Sequence, residues 1–415
     1  MIQNTNEPGG INLTLIKALT YVMFMMFAMT TDSVGIIIPE IIKTFGLSMT
    51  AAGTFQYATM AGIALGGFFL GSLADRLGRK PTIVIGLTGF GIASFLFAAG
   101  NSFAYFSVLL AVSGIAIGVF KTGALALIGD ISTSTTEHTS IMNTVEGFFG
   151  IGSIIGPAVL ARLLSIGVSW KWLYVLAGSI CVLLILIAWK VRYPRRNQAG
   201  ENAMDLRRTI LTLQNPYALA FSLGAFLYVA TEAAIYVWMP TLLKSYHGPA
   251  IWLAAYSISV FFVLRVAGRF AGAWMLTRFD WTGVLALFSG AILLCFLGTA
   301  FGGAEAAVYL LPLSGLFMSV IYPTINSKGI SCFPKSEHGA VAGVILFFTC
   351  VSAVLGPLAM GAVSDAMGEP KYGFVLAAGF AALLFLGLLF NWIINPTRSV
   401  LGHLDHTEYD PATTV

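Results

Sequence analysis

The feature that most constrains this chain is its series of long apolar runs, which are joined by short polar turns. About 20 consecutive apolar residues cross a bilayer as one helix. Hydrophobic residues make up 57% of the chain and charged residues only 10%, compared with about 25% charged residues in soluble domains. Because lipid cannot satisfy backbone polar groups, such runs must be helical. We therefore predict an all-α membrane protein.

Hydropathy predicts twelve membrane spans in two groups of six. The first six cover residues 13–39, 50–74, 82–100, 104–128, 139–165 and 172–191. The second six cover residues 217–243, 251–276, 281–301, 306–329, 339–364 and 373–394. One long polar connection, with five arginines, separates the groups. We expect a first bundle at 1–191, a cytoplasmic linker at 192–214, a second bundle at 215–395 and a cytoplasmic tail at 396–415.

Basic residues beside the spans set the predicted orientation, because cytoplasmic loops are enriched in lysine and arginine. With both termini inside, twelve basic residues fall in cytoplasmic segments and five outside. One loop, 129–138, does not fit: it should be cytoplasmic, yet it carries Asp130 and Glu137 and no lysine or arginine. The chain has a net charge of +4, and its basic residues fall in loops beside the spans. This charge therefore does not indicate nucleic-acid binding. The polar start, 1–12, lacks the features of a signal peptide, so we expect the first span to be retained.

A dense charged turn joins spans 2 and 3, and it reads Gly71-Ser-Leu-Ala-Asp75-Arg76-Leu-Gly78-Arg79-Lys80. Its glycines permit a tight turn and close backbone approach. The string resembles the G-x-x-x-D-R-x-G-R-K motif between helices 2 and 3 of major facilitator superfamily transporters. The resemblance implies two pseudo-symmetric six-helix bundles and a cytoplasmic gate. We expect Asp75 to accept hydrogen bonds from Arg79 and from the N-terminus of a helix in the other half. The predicted gating residues are Gly71, Asp75, Arg76, Gly78, Arg79 and Lys80.

The two halves of the sequence match at an offset of about 200 residues, which indicates a duplication. The matching elements are Thr31-Asp32 with Thr231-Glu232, Pro39 with Pro240, Gly156-Pro157 with Gly356-Pro357, and the charged turn with a degraded copy at 272–280. Parallel repeats of this kind place a substrate site between the halves near the bilayer midplane.

An ionisable group at bilayer depth is a functional candidate by default, and five such residues stand out within the predicted spans. They are Asp32, Lys121, Glu146, Glu232 and Arg265. The alternative is a purely architectural pair of Lys121 with Asp32 or Glu146, since a buried pair can be energetically neutral. We expect Arg265 to pair with Glu232 or with an anion. Arg269, one turn further, is expected to reach the cytoplasmic end of its span.

Span 7 carries an acid between two phenols, Tyr228, Glu232 and Tyr236, at a spacing that places all three on one helical face. Such a face suits polyol recognition, because a carboxylate accepts hydroxyl protons while aromatic rings cover C–H faces. Span 7, together with the glycine-rich span 5 and the Tyr322-Pro323 stretch of span 10, resembles the fucose–galactose–glucose:proton symporter branch. The predicted substrate-binding residues are Tyr228, Glu232, Tyr236, Trp238, Asn143, Tyr322, Asn326 and Arg265.

The same resemblance implies that Asp32 is the span 1 acid that takes up the proton. The branch has a second acid in span 4, and here Lys121 replaces it. A lysine opposite Asp32 would lower the pKa of that acid and weaken proton coupling. Alternatively, Lys121 binds an anionic substrate and Glu146 or Glu232 titrates. The predicted coupling set is Asp32, Lys121 and Glu146.

The sequence therefore predicts a secondary active transporter, with proton-coupled symport of a monosaccharide or related small polar solute as the first interpretation; sodium coupling stays open. The alternatives are a proton-coupled exporter of drugs or amphipathic compounds and an importer of small organic anions such as sugar acids. The element Gly152-x-x-x-Gly156-Pro157 resembles the span 5 motif of antiporters but lacks its trailing glycine pair. No nucleophile–base set, phosphate loop or metal-ligand cluster is visible, so neither enzyme activity nor a cofactor is predicted. We expect a monomer in the bacterial inner membrane with both termini in the cytoplasm, whose partners are the solute, protons and lipid.

Overall fold

The computed structural model describes residues 12–47, 49–194, 206–243 and 246–409. Within these ranges the chain is almost entirely helical and contains no strand. The helices of the first half are α1 (Leu13–Thr31), α2 (Val34–Phe45), α3 (Met49–Leu70), α4 (Leu73–Arg76), α5 (Arg79–Leu96), α6 (Phe103–Ile131), α7 (Thr135–Ser165) and α8 (Lys171–Lys190). Those that follow are α9 (Leu206–Gln214), α10 (Pro216–Ala233), α11 (Met239–Leu243), α12 (Ile251–Met275), α13 (Trp281–Met318), α14 (Ile321–Ser331), α15 (His338–Met367), α16 (Lys371–Ile394) and α17 (Arg398–Leu404).

Over the described residues these helices make the twelve passes that hydropathy predicts. Nine segments are long and apolar enough to span a membrane. One of them, Trp281–Ser331, has 51 residues and bends at Gly303, whose φ is 59°, so it holds two passes. The other two passes are α3, with an apolar part at Phe55–Leu70, and α5, which begins with two cations. The prediction of a twelve-span all-α protein is confirmed.

Several passes begin and end where local chemistry requires it. The Asn12 and Asn215 side chains each accept a hydrogen bond, 2.9 Å long, from a backbone N–H in the first turn of the helix that follows, which satisfies a donor that the helix cannot. Gly46 and Asn395 end α2 and α16 in the left-handed conformation, with φ of 63° and 47°. Both residue types tolerate this conformation at a helix end.

The chain forms two compact units that do not coincide with its two halves. The first unit comprises Met1–Ile131, Ile151–Thr209 and Lys335–Gly343, and the second comprises the remaining segments. Helices α7 and α15 are therefore each shared between the units. The predicted boundary at 192–214 lies partly outside the described residues and stays a prediction.

The first unit packs through small residues. Gly62 of α3 and Gly114 of α6 lie so close that a Cβ on either would overlap backbone atoms of the other helix. Such small residues let membrane helices approach closely. At one end of this unit, a buried aromatic cluster includes Phe97, Phe106, Trp170 and Tyr174. The Phe97 and Tyr174 rings stack at 4.0 Å.

The second unit packs α13 against α12 and α16, and α10 against α14 and α16. It also contains the predicted cytoplasmic tail as far as residue 409. That segment is folded: α17 continues into a π-helical turn, Asp405–Tyr409, and it buries Leu401, Leu404 and Tyr409. The four cysteines are all buried free thiols.

Candidate functional site

The charged turn contacts the first residues of α15 through Asp75. Its carboxylate accepts hydrogen bonds from the backbone N–H groups of Gly339 and Ala340, both 3.0 Å long, and from Arg79 at 2.8 Å. These are the two kinds of partner that the sequence predicted for Asp75. Burial raises the pKa of Asp75 to about 6, and the Arg79 charge and the two amides oppose that rise only in part. Gly71 is required here, because a Cβ would meet the Gly339 carbonyl oxygen at 2.9 Å.

Arg79 connects three elements. It donates through Nε to Asp130 at the end of α6 at 2.7 Å, and through its second terminal nitrogen to the Lys335 carbonyl oxygen at 2.5 Å. Asp130 therefore serves as the partner of a buried cation, which explains why a predicted cytoplasmic loop carries an acid. In the sequence, Asp130 stands out only because its predicted cytoplasmic loop lacks lysine and arginine.

Among the remaining predicted gating residues, Lys80 contacts another helix, Arg76 is exposed and Gly78 shapes the turn. Lys80 donates to the carbonyl oxygens of Trp189 and Val191, at 2.9 and 2.8 Å, and so ties the turn to the end of α8. Arg76 is exposed. Gly78 has a φ of 90° immediately before α5, a conformation that favours glycine. The gating roles stay predictions.

Asp32 lies where the first pass breaks, at the residue that ends α1. The Ser153 hydroxyl of α7 donates to one of its carboxylate oxygens, and the Thr31 hydroxyl donates to the other at 3.2 Å. Gly152 and Gly156 bring α7 onto α1, because a Cβ at either position would overlap the Met25 or Met29 carbonyl oxygen. The Asp32 side chain is exposed, and Lys121 lies in α6, half-buried.

In the second unit, two arginines one turn apart on α12 each pair with a glutamate from another helix. Arg265 lies 2.7 Å from Glu232 of α10, which is the predicted pair. Arg269 lies 3.2 Å from the Glu146 carboxylate of α7 and donates to the Glu146 carbonyl oxygen at 2.7 Å. The prediction that Arg269 reaches the cytoplasmic end is wrong: it is 1% exposed, because Glu146 supplies a buried partner. The architectural pairing considered for Glu146 involves Arg269.

Aromatic side chains surround the Arg265–Glu232 pair. The Tyr228 hydroxyl lies 2.8 Å from Glu232 and 3.0 Å from the Met318 carbonyl oxygen, and its ring stacks on Tyr322 at 5.9 Å. The i, i+4 spacing predicted on this face is found for Tyr228 and Glu232. Between Glu232 and Tyr236, however, the helix enters a π-helical turn, Ala234–Trp238. Tyr236 is 37% exposed.

The remaining predicted substrate-binding residues, Trp238, Asn143 and Asn326, do not contact the Arg265–Glu232 pair in the described hydrogen bonds. Trp238 donates its indole N–H to the Pro357 carbonyl oxygen at 3.2 Å. Asn143 donates to the Thr139 carbonyl oxygen and the Thr324 hydroxyl, at 2.9 and 3.4 Å. Asn326 is 3% exposed. Whether these residues bind substrate stays a prediction.

Four polar atoms of this group are buried with no hydrogen-bond partner among the described residues. They are Oδ1 of Asn143, Oδ1 of Asn326, and Nε of both Arg265 and Arg269. Such atoms are rare in folded proteins and require an explanation. Together with the two ion pairs and the two stacked tyrosines, these residues of the second unit are named the arginine cluster: Asn143, Glu146, Tyr228, Glu232, Arg265, Arg269, Tyr322 and Asn326.

Sequence reasoning missed a second polar group, at the start of α7. Lys328 of α14 donates to the Thr135 carbonyl oxygen at 3.1 Å, and Thr135 donates its N–H to Asp405 at 2.8 Å. The His138 ring lies 2.7 Å from the Ser331 hydroxyl. Lys328 was detectable, because it is an ionisable residue inside a predicted span. No group of three or more potential metal ligands occurs in the part of the chain that the structure describes.

The chain matches a known protein family and several named transporters. The family model described as the Major Facilitator Superfamily matches residues 20–357. The chain is 24% identical to a protein named TsgA homolog from Buchnera aphidicola, with 92% of this chain and 95% of that protein covered. It is 26% identical to the gallate transporter of Pseudomonas putida, with coverages of 91% and 92%. It is also 26% identical to the glucose/galactose transporter of Brucella abortus, with coverages of 88% and 92%.

A solved structure shows the same fold. The fucose:proton symporter FucP of E. coli superimposes with a TM-score of 0.76 at 22% identity, with 91% of this chain and 98% of that chain covered.

Proposed function

The chain belongs to the major facilitator superfamily, and from that premise we propose that it is a proton-coupled symporter of a small, hydroxyl-rich solute. We further propose that it works as a monomer in the bacterial inner membrane with both termini in the cytoplasm, and that it is not an enzyme. Relatives named as glucose/galactose transporter and as fucose:proton symporter support the sugar-like solute and the coupled proton.

The observation that carries the proposal is the arginine cluster. It holds two acids and two cations on helices that cross the membrane, with Glu146, Glu232 and Arg269 buried and Arg265 half-buried. Ionisable groups at bilayer depth are costly, pair with one another, and mark solute or ion pathways. The Tyr228 and Tyr322 rings, which stack beside Glu232, supply apolar faces, and the Asn143 and Asn326 Oδ1 atoms supply acceptors. A sugar presents these complementary features, hydroxyl donors on its edge and C–H groups on its face.

Coupling to protons requires an acid that is exposed to water in one state of the transport cycle. Asp32 fits this role, because it is exposed, lies where the first pass breaks, and accepts hydrogen bonds from the Ser153 and Thr31 hydroxyls. Asp32 is therefore proposed as the acid that takes up and releases the proton. Lys121 is proposed to set the acidity of Asp32, with Glu146 as the alternative coupling acid.

The charged turn is proposed to hold the cytoplasmic gate. Asp75 joins the turn to the first residues of α15, and Arg79 joins it to Lys335 just before α15, in the other half of the sequence. A few hydrogen bonds of this kind are enough to bias a two-state equilibrium between open and closed gates.

Proteoliposomes containing the purified protein test the proposal directly. Addition of D-galactose, D-glucose or L-fucose to the outside should acidify the lumen when a symporter carries protons inward with the sugar, as a trapped pH dye would report. An imposed inward proton gradient should drive uptake above equilibrium. Solute uptake that is indifferent to the proton gradient and driven by sodium would replace proton coupling by sodium coupling. Proton release in response to hydrophobic dyes, with no response to sugars, would favour the exporter instead.

A further inference from the structure

The two ion pairs of the arginine cluster are not equivalent. Arg269 is 1% exposed, and it holds both the carboxylate and the backbone carbonyl of Glu146. Two contacts to one residue anchor α12 to α7, which is a structural role. Arg265 holds Glu232 at 2.7 Å. Its side chain keeps 14% of its surface accessible, compared with 2% for Arg269, and it makes no second contact to Glu232 like the one that Arg269 makes to the Glu146 carbonyl among the described hydrogen bonds. Nε of both arginines has no partner among the described residues. Arg265 is therefore the guanidinium that can exchange its partner.

A neutral sugar does not require this arrangement. Hydroxyl groups can be bound by amides and carboxylates alone, and an arginine removed from water is more costly than a neutral polar residue. In such a guanidinium one N–H group is already paired, and a neighbouring N–H group is available to a ligand that accepts two hydrogen bonds. Arginine binds carboxylates in this way, with two parallel hydrogen bonds.

We propose that the transported solute carries a carboxylate, which replaces Glu232 on Arg265 when Glu232 takes up a proton. The solute class is then a hydroxylated monocarboxylate such as a hexuronate, with its hydroxyls on the asparagine oxygens and its ring against Tyr228 and Tyr322. This inference rests on the proposed function and narrows its substrate class.

The charge balance explains why the proton is required. In the structure the two arginines neutralise the two glutamates. The groups that face Glu232 are Arg265 and Arg269 of α12, Glu146 of α7, Tyr322 of α14 and Tyr228 of its own helix. An incoming carboxylate adds one negative charge to this buried site, and a proton from water on Glu232 removes one. The Glu232–Arg265 ion pair breaks and the solute–Arg265 pair forms. On the other side of the membrane Glu232 releases the proton, pairs with Arg265 again and expels the solute.

The test uses matched pairs of probes that differ only in the carboxylate: D-glucose with D-glucuronate, and D-galactose with D-galacturonate. Binding to the purified full chain is measured by titration calorimetry at pH 5.5 and 7.5, in two buffers with different ionisation enthalpies. We expect at least one uronate to bind about tenfold or more tightly than its neutral partner. We also expect one proton to be taken up per uronate bound, so that uronate affinity falls as the pH rises.

Two variants change uronate binding in opposite directions. Arg265→Gln should weaken uronate binding at least tenfold and affect the neutral sugar much less. Glu232→Gln mimics the protonated acid, so it should keep uronate binding, abolish proton uptake and strengthen binding at pH 7.5. A misfolded protein cannot bind more tightly. Tighter uronate binding by Glu232→Gln therefore excludes misfolding as the cause of the change. The matched control is Lys371→Gln, which removes an exposed cation from its surface pair with Glu369.

Distinct results separate the inference from the proposed function. Proton-coupled uptake of a neutral sugar with no preference for its uronate overturns the carboxylate inference and leaves the proposed function standing. Uronate binding without proton uptake, or with equal losses of both probes in Arg265→Gln, also overturns the inference. Failure of proteoliposomes to accumulate either member of both pairs counts against the proposed function and the inference together.

Discussion

At the residue scale, the charged turn illustrates what sequence can and cannot predict. The partners of Asp75 were predicted correctly, because a carboxylate four residues before an arginine, beside a helix N-terminus, has few alternatives. Asp130 was not assigned, because its contact with Arg79 joins residues 51 positions apart. Arg269 was placed wrongly for the same reason: its partner, Glu146, lies on another helix. Local spacing cannot reveal such contacts.

Asp75→Asn should impair transport and leave substrate binding nearly intact. The amide keeps the shape of the side chain, but its NH2 group replaces a carboxylate oxygen that accepts from Arg79 or from a backbone N–H. A buried donor that loses its acceptor costs about 1–3 kcal/mol, which is enough to change the balance between gate states. We expect an uptake rate at least tenfold lower, with the equilibrium dissociation constant changed by less than about threefold. The control is Asp365→Asn at an exposed position. Complete loss of binding in folded protein would rule out a pure gating role.

The raised pKa of Asp75 predicts a pH effect with a definite sign. Burial raises it from an ordinary 3.8 to about 6, so Asp75 binds its proton more tightly in the contact with α15 than when it is solvated. The contact therefore gains stability as the pH falls through 6 toward 4 and loses it as the pH rises through 6. The upper limit is about 3 kcal/mol. Other groups nearby are Arg79, Asp130, Lys335 and His338.

Melting temperatures in detergent at pH 5 and pH 7.5 measure this effect. Part of the stabilisation of the wild-type protein at pH 5 should be absent from Asp75→Asn, which cannot titrate. An identical pH dependence in the two proteins would show that Asp75 does not contribute.

At the element scale, glycines decide which helices approach most closely. The motif Gly152-x-x-x-Gly156 was visible in the sequence, but its partner was not. The structure shows that α7 lies against the backbone of α1 at Met25 and Met29. A glycine stripe predicts that some helix will pack there, because it removes side chains from one face. It contains no information about which helix that is.

Gly156→Ala should therefore destabilise the first unit. A Cβ at this position would overlap the Met29 carbonyl oxygen, which is backbone and cannot move aside alone. Overpacking of this kind costs about 1–3 kcal/mol, and it should lower the melting temperature in detergent. Gly379→Ala in α16 is the matched control, because no atom lies within 4 Å of its Cβ position. Equal melting temperatures of the two variants would contradict the packing argument.

The segment after α16 was predicted only as a tail, because a short, polar stretch gives no strong hydrophobic pattern. In the structure Asp405 accepts hydrogen bonds from the N–H and the hydroxyl of Thr135, at 2.8 and 3.0 Å. It thus supplies the first turn of α7 with an acceptor from 270 residues away. This is the contact of an N-terminal cap, made by a distant side chain.

Asp405→Ala should destabilise the second unit by about 0.5–2 kcal/mol, the range for losing a helix cap. Tyr409 is buried next to Ser331, so the loss should also increase cleavage of residues 398–409 by a protease. Melting temperature and limited proteolysis measure the two effects, with Asp365→Ala as the control. Unchanged proteolysis in Asp405→Ala would mean that apolar contacts alone hold this segment.

At the scale of the whole molecule, the number of passes was predictable and their grouping was not. Hydropathy depends on length and composition, which each span carries in its own residues. The assignment of 132–150 and 335–343 to units depends instead on contacts between distant helices. The matching positions indicate a duplication of the two halves, yet among the members of the arginine cluster Glu232 alone stands at one of those positions. Glu232 answers Asp32 in the repeat, but Glu232 has Arg265 as its partner and Asp32 has Ser153.

This difference between the two acids predicts how coupling is divided across the molecule. Glu232 is proposed to carry one proton with a bound carboxylate, and Asp32, the exposed acid that answers it in the repeat, is proposed to carry a second. Asp32→Asn should then lower the accumulation that a proton gradient drives in proteoliposomes and retain counterflow exchange, because exchange requires no net proton release. Lys121→Ala should raise the pH at which uptake falls to half, since the acid loses a stabilising cation. Unchanged accumulation by Asp32→Asn would move the second coupling proton to Glu146, which Glu146→Gln would then test.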